Sequence, residues 1–241
     1  MRIQVISDVH AEFHRDKGES FIGSLVPDAV DVLVVAGDLT TDGTLIEVLT
    51  RLCDRYAEVV YVPGNHEYYS STRGRVHGKL EKAERRLSNL HWLRNTTTEI
   101  GGQRFVGTTL WFADHPLNVA YEGKLNDFSQ IQGFRRWVYE ENEKAVRFLK
   151  AEIRPTDVVV THHVPTNAAN HPRWRGSDLN RFFVCELGNV IAYAGPKVWC
   201  FGHTHESVDM TLGETRLVCN PFGYAGHEEN PRFEWFKTME V

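Results

Sequence analysis

The chain has 241 residues, 41% of them hydrophobic, which suffices for a full core in a single domain over residues 1–241. A net charge of −5, with 27 Lys and Arg against 32 Asp and Glu and no long basic cluster, argues against nucleic acid or an anionic membrane as partner. Four cysteines without C-x-x-C spacing, no signal-peptide core and no membrane-length apolar run read as a cytoplasmic protein with reduced thiols.

Apolar, β-branched runs predict strands at Ile3 to Ile6, Val32 to Ala36 and Val59 to Val62. Others follow at Arg104 to Gly107, Asp157 to Thr161, Val198 to Phe201 and Arg216 to Cys219. Helical segments fall between them at Gly43 to Tyr56, Arg75 to Ser88 and Arg136 to Glu152, the last with Val138, Ala145, Val146 and Leu149 in one stripe. Alternating strand and helix implies an α/β fold built on largely parallel sheet.

Two stretches lack a period. Trp111 to Phe134 reads as a long loop or lid, and Val164 to Leu179 as a second loop carrying His171, Arg173, Trp174 and Arg175. Both are expected to touch substrate. Arg173 and Arg175 could fork around a second phosphate or a carboxylate, with Trp174 covering a ring.

Five short clusters follow the apolar runs: Asp8 and His10, Asp38, Asn65 with His66, His162, and His203 with His205. In an open α/β sheet, ligands collect beyond the carboxyl ends of the strands, so residues distant in sequence but each at a strand exit converge on one site. Glycine abuts three of the clusters (Gly37, Gly64, Gly202), as close backbone approach to a ligand requires. The donors mix oxygen and imidazole and include no cysteine, which suits a hydrolytic centre for divalent metals rather than a structural thiolate site.

In order and wording the series D-x-H, G-D, G-N-H-E, a histidine after a strand, and G-H-x-H resembles the calcineurin-like metallophosphoesterase superfamily. Leu125-Asn126-Asp127-Phe128 and Cys219-Asn220-Pro221-Phe222-Gly223-Tyr224 further resemble a bacterial subgroup of uncharacterised phosphohydrolases. The resemblance implies two facing mixed β-sheets flanked by helices, with the metals at one edge of the sandwich. It implies two divalent transition-metal ions (Mn, Fe, Zn, Co or Ni), one on Asp8, His10, Asp38 and His205, the other on Asp38, Asn65, His162 and His203, with Asp38 bridging. A phosphomonoester or phosphodiester of a small molecule would then be hydrolysed by a hydroxide shared between the metals, with His66 as general acid.

One departure bears on His66. Protein phosphatases of the superfamily carry G-D-x-x-D, whose second aspartate orients this histidine, whereas position 41 here is Thr41. That counts against a protein phosphatase and leaves the orienting group unnamed. A cyclic-nucleotide phosphodiesterase or a protein phosphatase stays as the alternative reading, with a non-catalytic scaffold on the same fold ranked below them. His162 is taken as the ligand over its neighbour His163 because it directly follows the strand. Glu67 reads as a supporting or capping carboxylate, and His14, His77, His91, His115, His171 and His227 as solvent or turn histidines.

Overall fold

The structure, a computed structural model, describes residues 1–241. Its first strands are β1 (Arg2–Ile6), β2 (Val32–Ala36), β3 (Val59–Val62) and β4 (Leu90–Trp92). They lie side by side and parallel, in register from Ile3 against Val32 and from Leu33 against Val59. A second sheet follows from β5 (Thr96–Ile100), β6 (Gln103–Thr108), β7 (Val158–Thr161), β8 (Val198–Phe201), β9 (Val208–Leu212) and β10 (Thr215–Cys219), in the order β5-β6-β7-β8-β10-β9. Its inner pairs are parallel and its two outermost pairs antiparallel. The strands β11 (Gly223–Tyr224) and β12 (Glu228–Glu229) form a small ribbon, and β13 (Thr238–Glu240) returns antiparallel to β1 at the edge of the first sheet.

Strand β-branching explains the layers. Val, Ile and Phe side chains alternate across a pleated strand, and in β1, β2, β3, β7 and β8 both faces are buried, so the runs are apolar apart from Arg2 and Gln4 in β1 and Thr161 in β7. The inner faces meet in one cluster: Ile3, Val5, Val32, Val34, Val60 and Val62 from the first sheet pack against Phe105, Val158, Val160, Val198 and Val218 from the second. Cutting Ile3 back to Ala in that cluster costs about 2–5 kcal/mol, the range for a buried side chain whose site collapses only in part.

Helices cover the outer faces. α1 (Glu19–Ser24), α2 (Leu45–Cys53) and α3 (Arg73–Arg86) supply Phe21, Ile22, Leu45, Val48, Leu49, Val76 and Leu80 to the cluster outside the first sheet. After the short α4 (Asp127–Gln130) come α5 (Val138–Glu152), α6 (Asn180–Phe183) and α7 (Gly188–Ala194), of which α5 and α7 bring Ala145, Leu149 and Ile191 against Val159, Trp199 and Leu217 of the second sheet. Two facing mixed sheets flanked by helices are therefore the fold, as expected. No helix is long and apolar enough to cross a membrane. All four cysteines are buried and unpaired.

Three expectations are corrected. Trp111 to Phe134 is not a lid from end to end, because Trp111, Phe112, Ile131 and Phe134 are core residues and the middle of the stretch lies at the surface only in part, with Asn118, Glu122 and Asp127 buried. Six strands lie outside the apolar runs because they are short or at sheet edges, where half-exposed polar sequences such as Thr96–Ile100 suffice. His77 is buried in α3 between Tyr68 and Trp92 rather than facing solvent.

Candidate metal centre

The parallel register sets the C-terminal ends of β1, β2, β3, β7 and β8 at one end of the sandwich, and each strand is followed at once by one of the polar clusters. Chain reversal there is tight. Asp8, His10, Asp38, His203 and His205 all have positive φ, between 48° and 73°. Non-glycine residues in that region cost of order 1–3 kcal/mol each, and such strain gathers where the surroundings over-determine a functional geometry. Glycine is obligatory beside them: a Cβ on Gly64 would lie 2.1 Å from Asp38 Oδ1, and one on Gly37 2.3 Å from His162 Nδ1.

The side chains converge in two sets, which a third, His10 with Asp38 and His66, links. Asp8, His10 and His205 bring one ligand atom each within 4.8 Å of one another, and so do Asp38, His162 and His203. His10 Nε2 faces His205 Nε2 at 3.0 Å, and His162 Nε2 faces His203 Nδ1 at 3.1 Å and Asn65 Oδ1 at 3.1 Å. Asp38 Oδ2 touches both sets, 3.7 Å from His10 Nε2 and 3.4 Å from His162 Nε2. The seven residues expected as ligands are thus all brought together, and all but His205 are almost fully buried. Imidazole nitrogens aimed at each other beside carboxylates, with one amide oxygen, fit borderline or hard dications.

Outer contacts hold these groups in place. The Asp8 carboxylate accepts the backbone N–H of His203 at 2.9 and 3.1 Å, tying β1 to β8. His162 Nδ1 donates to the Ala36 carbonyl at 2.9 Å, which leaves Nε2 free for a ligand role. His163 turns the other way: its ring packs against Trp111, Phe112 and His203, and its Nδ1 faces the Thr109 carbonyl. Glu67 is the supporting carboxylate it was expected to be, accepting from Leu39 N, Gly64 N and Tyr61 Oη at 2.8 Å each.

His66 stands at the mouth. Its backbone N–H donates to Asp38 Oδ1 at 2.8 Å, and its ring stacks on Tyr69 with centroids 4.2 Å apart. The orienting group missing at position 41 is Glu12, whose Oε1 lies 2.8 Å from His66 Nδ1. Burial alone would push the His66 imidazole down, but Asp38 and Glu12 outweigh it and raise the group to about 9. Burial acts upward on Glu12, yet the hydrogen bonds from His10 and His66 hold that carboxyl at about 2. Asp38 resists burial in the same way, held well below the usual carboxylate range first by His162 and then by His66.

Beyond the expected ligand residues a cleft of about 330 Å³ opens, within the size of small-ligand sites. Trp174, Leu125, Leu179, Phe183 and Tyr224 supply its apolar wall, and Asn126, Asn170 and Asn180 its amides. Both irregular stretches therefore contribute, as expected, but Arg173 does so only indirectly. Its guanidinium is bound to Glu206 at 2.6 Å and lies 4.2 Å over the Trp174 ring, and Arg175 does not line the cleft.

A family profile described as calcineurin-like phosphoesterase matches residues 1–207. The chain belongs to that family. A relative, uncharacterized protein L509 of Acanthamoeba polyphaga mimivirus, is 25% identical, and the alignment covers 95% of this chain and 94% of the viral one. Among solved structures, the phosphopantetheinyl hydrolase of Mycobacterium tuberculosis superposes with a TM-score of 0.74 at 17% identity, over 98% of this chain and 95% of that one. TT1561 of Thermus thermophilus gives 0.60 at 16%, over 91% and 88%. At these identities the structural likeness is one of fold.

Proposed function

We propose that the chain is a metal-dependent phosphoesterase that holds two divalent ions between its strand exits and hydrolyses a phosphomonoester or phosphodiester of a small molecule. The observation that carries this reading is Asp38, whose Oδ2 lies within 3.7 Å of His10 and 3.4 Å of His162 and so reaches both donor sets. Asp8, His10, Asp38 and His205 would hold one ion; Asp38, Asn65, His162 and His203 the other. Two dications close together repel, and a shared carboxylate offsets that repulsion. When bound, such a pair supplies a hydroxide nucleophile near neutral pH and Lewis acidity toward a phosphoryl oxygen.

The chain's own residues account for the rest. Glu12 accepts the Nδ1 proton of His66, which turns Nε2 toward the cleft, where Tyr224 Oη is 3.4 Å away. From there His66 can hydrogen-bond the phosphoryl group or donate a proton to the leaving alkoxide. Dications beside Asp38 would bring the titration of His66 down from about 9 toward neutral pH, where a protonated imidazole works best as a general acid. Trp174, Phe183 and Leu179 exclude water from the leaving group, and the cleft amides offer it neutral hydrogen bonds.

The size of the cleft, about 330 Å³, favours a small organic phosphoester over a phosphoprotein, and Thr41 removes the orienting aspartate of the protein phosphatases. A cyclic nucleotide is the second reading, favoured by Trp174 and Tyr224 as ring-stacking walls. The test is elemental analysis followed by a panel of phosphomonoesters, phosphodiesters and cyclic nucleotides with Mn, Fe, Co, Ni or Zn restored. Two ions per chain and turnover of one class support the proposal. Full metal occupancy with no turnover of any of them would leave a binding scaffold instead.

A further inference from the structure

Asn65 sits differently from the other proposed ligands. An imidazole or carboxylate presents a donor atom on either side, whereas a primary amide has one acceptor and one donor end, and only the oxygen can bind a cation. Something must decide which end faces the histidines. Asn65 Oδ1 points at His162 Nε2, and its Nδ2 donates at 2.9 Å to Asp127 Oδ1, a carboxylate 62 residues further along the chain. The same Asp127 oxygen accepts from Tyr69 Oη at 2.8 Å, and the Tyr69 ring is the one stacked on His66.

Asp127 has no other evident reason to be there. It is 1% exposed, forms no ion pair with Lys or Arg, and its Oδ2 has no hydrogen-bond partner. A buried carboxylate so poorly compensated is costly unless positive charge lies close by. It begins α4 and is the third residue of the Leu125-Asn126-Asp127-Phe128 stretch, inside the segment whose two ends are locked into the core by Phe112 and Phe134. That anchoring places a fixed carboxylate behind a proposed ligand.

We propose that Asp127 is a positioning residue that fixes the Asn65 amide with its oxygen toward the metal, making a carboxylate–amide–metal relay. A carboxylate that accepts the amide N–H also draws electron density onto the amide oxygen, as carboxylates do behind metal-bound histidines. Through Tyr69 the same group braces the face on which His66 rests. The inference depends on the metal centre proposed above and assigns a role to a residue outside it.

The test is a competition titration of Zn²⁺ against a chromophoric chelator, with no substrate present. Asp127→Ala should weaken one of the two ions by about 10–100-fold, the range for losing such a support, and leave the other within about threefold. Asp127→Asn still offers an oxygen to the Asn65 amide and to Tyr69, and should stay close to wild type. The decisive arm is compensation. Asn65→Asp in the otherwise wild-type chain sets two carboxylates face to face and should weaken the ion, whereas in the Asp127→Ala background it should restore affinity, because a carboxylate has no wrong end. Equal Zn²⁺ affinity in wild type and Asp127→Ala, or no compensation by Asn65→Asp, would overturn the relay. A merely structural role would lower both ions together and would not be rescued. A wild-type chain that binds no metal would instead overturn the metal centre itself.

Discussion

Glu12 Oε1 lies 2.8 Å from His66 Nδ1, joining the turn after β1 to the turn after β3 across 54 residues of chain. A carboxylate can only accept, so the bond fixes the proton on Nδ1 and the orientation of the ring. The same oxygen is 3.4 Å from His10 Nδ1. One carboxylate thus steadies both a proposed metal ligand and the proposed acid, which places their relative geometry under a single control.

Removing that control should cost activity mainly through His66. Glu12→Leu is expected to lower kcat by about 10²–10⁴, the range for losing a positioned acid, while Glu12→Gln, whose amide oxygen can still accept, should lose about tenfold at most. Combining Glu12→Leu with His66→Ala should cost little more than His66→Ala alone, since the two act as a unit. Additive losses in that cycle would separate the two residues and refer the effect of Glu12 to His10. Metal content measured on each variant distinguishes the two routes.

His66→Ala should keep its metals and slow turnover by about 10²–10⁴. The loss should grow as the leaving group becomes a poorer one, because an alkoxide needs a proton and a nitrophenolate does not. A panel of aryl and alkyl phosphoesters reads this directly. Equal slowing across the panel would make His66 a stabiliser of the phosphoryl group and not a proton donor.

How legible is this site in the sequence? The strand-exit residues are readable because an apolar run, a neighbouring glycine and a side chain of metal-ligand type occur together within a few residues of one another. Glu12 and Asp127 are not. Their signal is a partner 54 or 62 residues away, and nothing within reach of either in sequence marks it. Asp127 stands out in the sequence only as part of a subgroup resemblance that carries no role. The main strands are legible for the same reason as the exits, being buried on both faces. β9 and β13 lie at sheet edges and read as ordinary half-polar segments until their pairing partners are known.

Substrate contact should come from Trp174 and not from the arginine beside it. Arg173 is already held by Glu206 at 2.6 Å, so its charge is compensated, whereas the Trp174 indole lines the cleft. Trp174→Ala is expected to raise KM for a ring-bearing phosphoester by up to about tenfold, the worth of one aromatic contact, with kcat little changed. Arg173→Ala should shift KM by less than about twofold, as for an exposed ion pair. Steady-state kinetics on both variants decides it, and a larger KM effect from Arg173→Ala than from Trp174→Ala would restore the arginine as an anion anchor.

Stability toward acid should depend on His77, away from the metal centre. Its ring is buried in α3 and its Nε2 lies within hydrogen-bond distance of Tyr68 Oη, at 3.0 Å. Burial first, then the Arg94 and Arg73 charges, push this imidazole down to about 3. An unfolded histidine titrates at about 6.5, so between these values the unfolded chain holds a proton that the folded one refuses. The contribution of His77 is therefore fully present above about pH 6.5 and is lost progressively as pH falls toward 3, by at most about 1.4 kcal/mol per pH unit. His77→Gln keeps a hydrogen-bond partner for Tyr68 and cannot titrate. The gap in urea-unfolding free energy between wild type and His77→Gln should consequently narrow, and then reverse in favour of the variant, as the buffer is taken from about pH 7 to about pH 4.5. The proposed metal centre is common to both chains and cancels in that difference. A gap that stays constant over the range would mean that His77 takes up its proton in the folded protein without cost, and that the burial around α3 does not exclude charge.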